Sequence, residues 1–175
     1  MGKGRLAFAA LALALAMPAG AADLLFKASF DESAEGPYNE YDAARFLTQA
    51  TFGPTEADVD RVMAIGYAAW IDEQLAEPAT SHRAYWEAAD AAIQAASPGS
   101  NAWQDQVFES FWKQALSGED QLRQRMAYAL SQIFVISLQD STVGDNPRAV
   151  ADYMDMLATR VFGNYRDLLE AVSLH

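Results

Sequence analysis

The sequence predicts an all-α protein, an array of about seven to eight helices behind a signal peptide and a short extended arm. Three observations lead there. Apolar residues recur at three- and four-residue spacing through most of 42–175. Asp, Thr and Asn stand where helices would start, and Gly or Pro where they would stop. Nothing after residue 41 reads as a strand.

The N-terminus comes first. Lys3 and Arg5 are followed by an uncharged run of Leu, Ala and Phe from Leu6 to Met17. Pro18 breaks the run, and Ala19-Gly20-Ala21 fits the small-x-small cleavage rule. Residues 1–21 therefore read as a secretory signal peptide, which predicts a secreted or periplasmic protein. The apolar run is short for a membrane span, which needs roughly 20 residues. No later stretch is long and apolar enough to span, so none is expected after cleavage. Residues 22–41 read as an extended arm, Asp23 to Phe30, and an acidic linker holding Gly36 and Pro37.

Residues 42–175 read as one helical domain. Asp42 is placed as the first N-cap, with Gly53-Pro54 as the stop. Thr55 and Asp58 form a capping box with Asp in place of the usual Glu. Val59, Val62 and Met63 make the apolar side of the next helix, which Gly66 closes. A third helix, Tyr67 to Glu77, carries Trp70, Ile71 and Leu75. The Ala-rich segment Ser81 to Ala96 has a thin apolar side and is expected to be partly exposed. Asn101 is placed as the cap of a helix to Ser117, with a broad stripe from Val107 to Leu116. Glu119 to Ser137 is expected to be the longest helix and the centre of the core, with Leu122, Met126, Leu130 and Ile133 inward. Leu138 to Asp145 reads as a polar loop. Asn146-Pro147 supplies a cap and an N1 proline. Asp152 to His175 then reads as two short helices hinged at Gly163-Asn164, with Gly163 expected at φ > 0.

Composition excludes several function classes. Formal net charge is −12, which disfavours nucleic acid as a partner. There is no cysteine, so disulfides, thiolate metal sites and cysteine nucleophiles are excluded.

The motifs AARFLTQATFGPT at 43–55, IDEQLAEP at 71–78, RQRMAYALSQIFVIS at 123–137 and FGNYRDLLEAVSLH at 162–175 occur in order. Together they resemble the bacterial domain-of-unknown-function family numbered 1800, over roughly Tyr41 to His175. The resemblance implies a secreted or envelope-associated, mostly helical protein of several hundred residues, often encoded beside a sulfatase-related secreted protein. It implies no established activity. It also implies that this chain is an N-terminal fragment, because relatives continue past the LLEAVSLH-like motif. One departure is visible: Phe111-Trp112 is followed by Lys113-Gln114-Ala115, where many relatives carry His and Asn.

Candidate chemistry is sparse. His82 and His175 are the only histidines. His82 is expected to be exposed or locally bonded at a helix start. Asp140 and Asp145 bracket a Ser-Thr-Val-Gly turn, and with His175 they are the candidate metal ligands, although the loop lacks calcium-hand order. Asp152 and Asp155, at i,i+3, read more readily as solvated surface. No cofactor is expected. Among the tryptophans, Trp70 and Trp112 fall in apolar stripes and are expected in the core. Trp86 and Trp103 have polar neighbours and are the candidate ligand-binding residues. Ser131, Ser137 and Ser173 lack a nucleophile elbow, so no catalytic residue is assigned. Arg45, Arg160 and Arg166 are expected to pair with carboxylates.

Two functions are compatible with these features. The first is a secreted helical binding or scaffold module at the cell envelope, with a secreted protein or a polysaccharide as partner. The alternative is the N-terminal part of a secreted hydrolase of polymeric or sulfated glycans, with its catalytic residues mostly beyond His175.

Overall fold

A computed structural model describes residues 36–175; the expected signal peptide, the expected arm Asp23 to Phe30 and the first part of the expected linker lie outside the described residues. The described residues form eight α-helices and no strand. They are α1 Glu40–Ala50, α2 Glu56–Ala76, α3 His82–Ala96, α4 Gln104–Ser117, α5 Gln121–Ser131, α6 Ser141–Gly144, α7 Pro147–Arg160 and α8 Tyr165–Leu174.

Local signals set most helix ends. The Thr55 hydroxyl accepts from the Asp58 amide at 3.2 Å, while Asp58 Oδ2 accepts from the Thr55 amide at 2.9 Å. This reciprocal pair satisfies two otherwise orphaned donors. Gly66 has φ +81° and ψ 168° and splits α2 into two helical halves, as its position in the sequence implies. Pro147 opens α7 at its first turn. The first N-cap is Asn39, not Asp42. The Asn39 Oδ1 accepts from the Asp42 amide, so the helix starts within the expected linker. Likewise α4 starts after Trp103, whose amide donates to Gln106 Oε1 at 2.7 Å, and not after Asn101.

Three apolar clusters hold these helices together. In the first, Ala43 and Leu47 of α1 pack on Val62 and Trp70 of α2, and the Phe46 ring meets Trp70 edge-on at 5.3 Å. In the second, Trp86 of α3 and Val107 of α4 pack on Val150 and Ala151 of α7. In the third, Ala127 of α5 packs on Tyr153, Leu157 and Ala158 of α7 and Leu168 of α8. Fully burying a Leu or Val side chain contributes about 1.5–3 kcal/mol before entropy is counted.

The centre of the fold differs from the expectation. It is α7, which packs against α3, α4, α5, α6 and α8. Ala151 and Ala158 are fully buried on it and let neighbouring backbones approach closely. The α5 helix ends at Ser131, six residues short of the expected Ser137. Ile133, Val135 and Ile136 follow, and β-branched residues lose χ1 freedom in a helix. Of the residues expected inward, Leu122 and Leu130 are half-buried against the first and third clusters, while Met126, and Ile133 beyond the helix end, are exposed; the buried places on α5 go to Gln124 and Ala127.

The hinge between α7 and α8 forms at Gly163-Asn164, and Asn164 caps α8 by accepting from the Arg166 amide at 2.8 Å. Gly163 does not have positive φ; Gly36, Gly53, Gly66 and Gly99 do. Space explains Gly163 instead. A Cβ there would stand 3.2 Å from the Arg160 carbonyl oxygen. The ion pairs also differ from the expectation. Among the described residues they involve Arg61, Arg83, Arg148 and His175, and none uses Arg45, Arg160 or Arg166.

Candidate functional site

A chain of buried polar side chains runs between α3, α4 and α5. His82, 2% exposed at the start of α3, has Nδ1 2.8 Å from Ser110 Oγ and Nε2 3.1 Å from Gln124 Oε1. The Gln124 amide nitrogen donates to Asp120 Oδ2 at 3.0 Å and to the Thr80 carbonyl at 3.3 Å. Gln124 Oε1 is therefore the acceptor facing the ring, which places the imidazole proton on Nε2. Nδ1 is left bare and accepts from the Ser110 hydroxyl. Asp120 also accepts from the Thr80 amide and hydroxyl, both at 2.9 Å. Burial lowers the His82 pKa from its ordinary 6.5, against the opposing effects of its hydrogen bond to Gln124 Oε1 and of the charges of Asp155 and Asp120. The imidazole is thus held neutral. The Ser110–His82 pair has the spacing of a nucleophile and base, but Ser110 is 0% exposed, so no substrate atom reaches it.

The outer side of this chain is the base of a groove of about 460 Å³. Phe108, Phe111 and Trp112 of α4, Tyr128 of α5, and Val135 and Ile136 beyond it line the groove above His82 and Gln124. None of its lining residues is Asp, Glu, Lys or Arg. Phe108, Trp112, Tyr128 and Val135 are all exposed. The Phe111 ring contacts Trp112 at 5.3 Å and Tyr128 at 5.7 Å, which ties this wall together.

A second constellation surrounds the start of α3. Asp155 of α7 accepts from the Ser81 hydroxyl at 2.5 Å, the His82 amide at 2.6 Å and the Arg83 amide at 3.1 Å. A carboxylate on another helix thus caps α3 and meets the positive end of its dipole. Beside it, Arg83 bonds Asp152 at 2.8 Å and Glu87 at 2.9 Å, and Arg148 bonds the same Glu87 oxygen at 2.6 Å. The Arg83 hydrogen bond, then that of Arg148, lowers the Glu87 pKa; the Arg83 hydrogen bond is also the main cause of the lowered Asp152 pKa. His175 Nε2 lies 3.4 Å from the other Asp152 oxygen, and its ring meets Tyr153 edge-on at 5.4 Å.

Asp140 uses Oδ1 to cap α6, accepting from the Thr142 and Val143 amides. Asp145 is exposed at the end of α6. Among the described residues no group of three or more His, Asp or Glu is placed to hold a metal, so Asp140, Asp145 and His175 do not converge. Trp86 is 9% exposed, and its indole N–H donates to the Trp103 carbonyl at 3.1 Å, so it belongs to the core and not the surface. Trp103 is 49% exposed, as expected. Trp70 is buried as expected, while Trp112, expected in the core, is 59% exposed. His82 is neither exposed nor locally bonded. Its partners lie 28 and 42 residues away, a separation no sequence window spans. The one signal within the sequence is polar: Ser110 and Gln124 interrupt the apolar residues of their helices.

Among the described residues no helix is long and apolar enough to cross a membrane. A family model described as Protein of unknown function (DUF1800) matches residues 45–175. No curated protein and no solved structure matches the chain.

Proposed function

The chain belongs to the DUF1800 family of proteins of unknown function, and from that premise we propose that it is an exported helical binding module whose groove receives an apolar segment of a secreted partner protein. One observation carries the reading: a groove of about 460 Å³ without an ionised side chain, in a chain where 21% of residues are charged. Exposed aromatic and aliphatic residues gathered around one recess mark interaction sites. The buried chain from Ser110 to Asp120 supports the reading, because it fixes the groove's base with its hydrogen bonds satisfied. A neutral His82 keeps charge out of that base. Export rests on Lys3, Arg5 and the apolar run Leu6–Met17 ahead of Ala19-Gly20-Ala21.

The test uses a photo-crosslinking side chain at position 112 in the full chain, expressed in its own cells. We expect one discrete adduct with another secreted polypeptide, lost on Phe108→Ser, with the thermal midpoint of the variant unchanged. No adduct, or an adduct that survives Phe108→Ser, overturns the groove as the working surface. Mass analysis of the protein outside the cytoplasm should show a chain beginning at Ala22 or Asp23; retention of residues 1–21 in the cytoplasmic fraction overturns export.

A further inference from the structure

A cleft of about 380 Å³ lies where the start of α3, the loop before α4 and the start of α7 meet. It shares no lining residue with the apolar groove, and its chemistry is different. Trp103, Asn101, Asp145, Arg83, Arg148 and Asp152 line it.

Two kinds of group meet there. The first is rigid. Arg83 and Arg148 are bound through Glu87 and Asp152, so their guanidinium planes are already ordered before a ligand arrives. The second is unspent. The Trp103 backbone is fixed at both ends, its amide on Gln106 and its carbonyl on the Trp86 indole. Its ring, half exposed, contacts no other ring among the described residues. The backbone that anchors Trp103 therefore holds an aromatic surface the fold does not use. The Asp145 carboxylate has no hydrogen-bond or ion-pair partner among the described residues, and the Asn101 amide accepts at Oδ1 from Gln94 while its N–H groups remain available. 

An indole face takes up the C–H face of a sugar ring, while carboxylate and amide groups at its edge exchange hydrogen bonds with ring hydroxyls. The charge narrows the class. The lining holds Arg83, Arg148, Asp152 and Asp145; both arginines are already engaged, Arg83 by Asp152 and Glu87 and Arg148 by Glu87, so among the described residues Asp145 is the one charge in the cleft without a counterion. A sulfated or carboxylated sugar would add repulsion to desolvation. We propose that this cleft binds a neutral pyranose unit of a saccharide, with Trp103 as the stacking surface, Asp145 as hydroxyl acceptor and Asn101 as donor. The site is independent of the groove, so either proposal can fail alone.

Calorimetric titration of the full chain with maltotriose, cellotriose and triacetylchitotriose tests it, with a sulfated heparin disaccharide as the contrast. At least one neutral trisaccharide should bind, and the sulfated probe should bind more weakly or not at all. Trp103→Ala should weaken binding about tenfold or more, Trp103→Phe much less, since stacking survives in Phe. Asp145→Asn, on an exposed side chain with no partner among the described residues, should weaken binding without moving the thermal midpoint, and it keeps the test open if Trp103→Ala destabilises the chain. Failure of all three neutral sugars to bind, tighter binding of the sulfated disaccharide, or full affinity in both the Trp103→Ala and Asp145→Asn variants overturns the proposal.

Discussion

Replacing His82 with Leu nearly preserves side-chain volume and removes both ring hydrogen bonds. The Ser110 hydroxyl then loses its acceptor at 2.8 Å, and Gln124 Oε1 loses its donor at 3.1 Å. A buried polar group left unsatisfied costs about 1–3 kcal/mol, so the two together cost about 2–6 kcal/mol. The added apolar surface of Leu returns about 1–2 kcal/mol. Taking the middle of each range, a net loss of about 2–3 kcal/mol is expected in urea unfolding, with an unchanged denaturant slope. Ser110→Ala placed on the His82→Leu background should recover about 1 kcal/mol, because it removes one orphaned group. A loss below about 0.5 kcal/mol, the range of ordinary surface substitutions, would refute the reasoning. Acidification supplies a second reading of the same site. The His82 pKa is lowered in the folded state, chiefly by burial, from an ordinary 6.5. Below that value the unfolded chain binds the proton first. The stability His82 contributes is therefore complete above about pH 6.5 and falls as pH drops through the folded-state pKa, at up to about 1.4 kcal/mol per pH unit. The difference in stability between wild type and His82→Leu should shrink over that window. If it stays constant to pH 5, His82 is not held neutral by the fold.

Two further predictions concern the scaffold. Arg123 donates from Nη1 to the Ala158 carbonyl at 3.2 Å and from Nη2 to the Glu77 carbonyl at 3.1 Å, with its guanidinium over the Phe162 ring. These carbonyls sit at the C-terminal ends of α7 and α2, so Arg123→Met should cost about 1–3 kcal/mol in urea unfolding, and a neutral result would remove Arg123 as the clamp between them. Gly66→Ala should lower stability by about 1 kcal/mol or more because φ is +81°. Gly163→Ala should cost less, since its Cβ meets one carbonyl oxygen at 3.2 Å that a small hinge adjustment relieves. The opposite order of the two thermal midpoints would show that crowding outweighs backbone strain here.

The legible parts of the fold were those decided within a few residues. The Thr55–Asp58 box, the N1 Pro147, the break at Gly66 and the Asn164 cap each satisfy or interrupt backbone groups one turn away. Their chemistry is complete in the local sequence. The candidate sites were less legible. Trp103 reads as a surface residue from its polar neighbours, and it is one. Trp86 has similar neighbours and is buried, because Ala102 and Val150, distant in sequence, close over it. Asp155 reads as solvated surface beside Asp152 in the sequence. It caps a helix that begins more than 70 residues earlier.

Residue order alone specifies that 42–175 is largely helical, where most of the helices turn and break, and which residues share a helix face. Periodicity and capping are properties of a single helix, so a single helix's residues suffice to specify them. Which of those faces are covered depends on how the helices pack. On α4 the apolar residues span more than one face; Val107 and Ala115 turn inward with Ser110 and Gln114, leaving Phe108 and Trp112 outside. On α5, Gln124 turns inward and Met126 outward. Ser110 and Gln124 hold their inward places because His82 and Asp120 satisfy them there, and that satisfaction depends on partners that adjoin only once α3, α4 and α5 have packed.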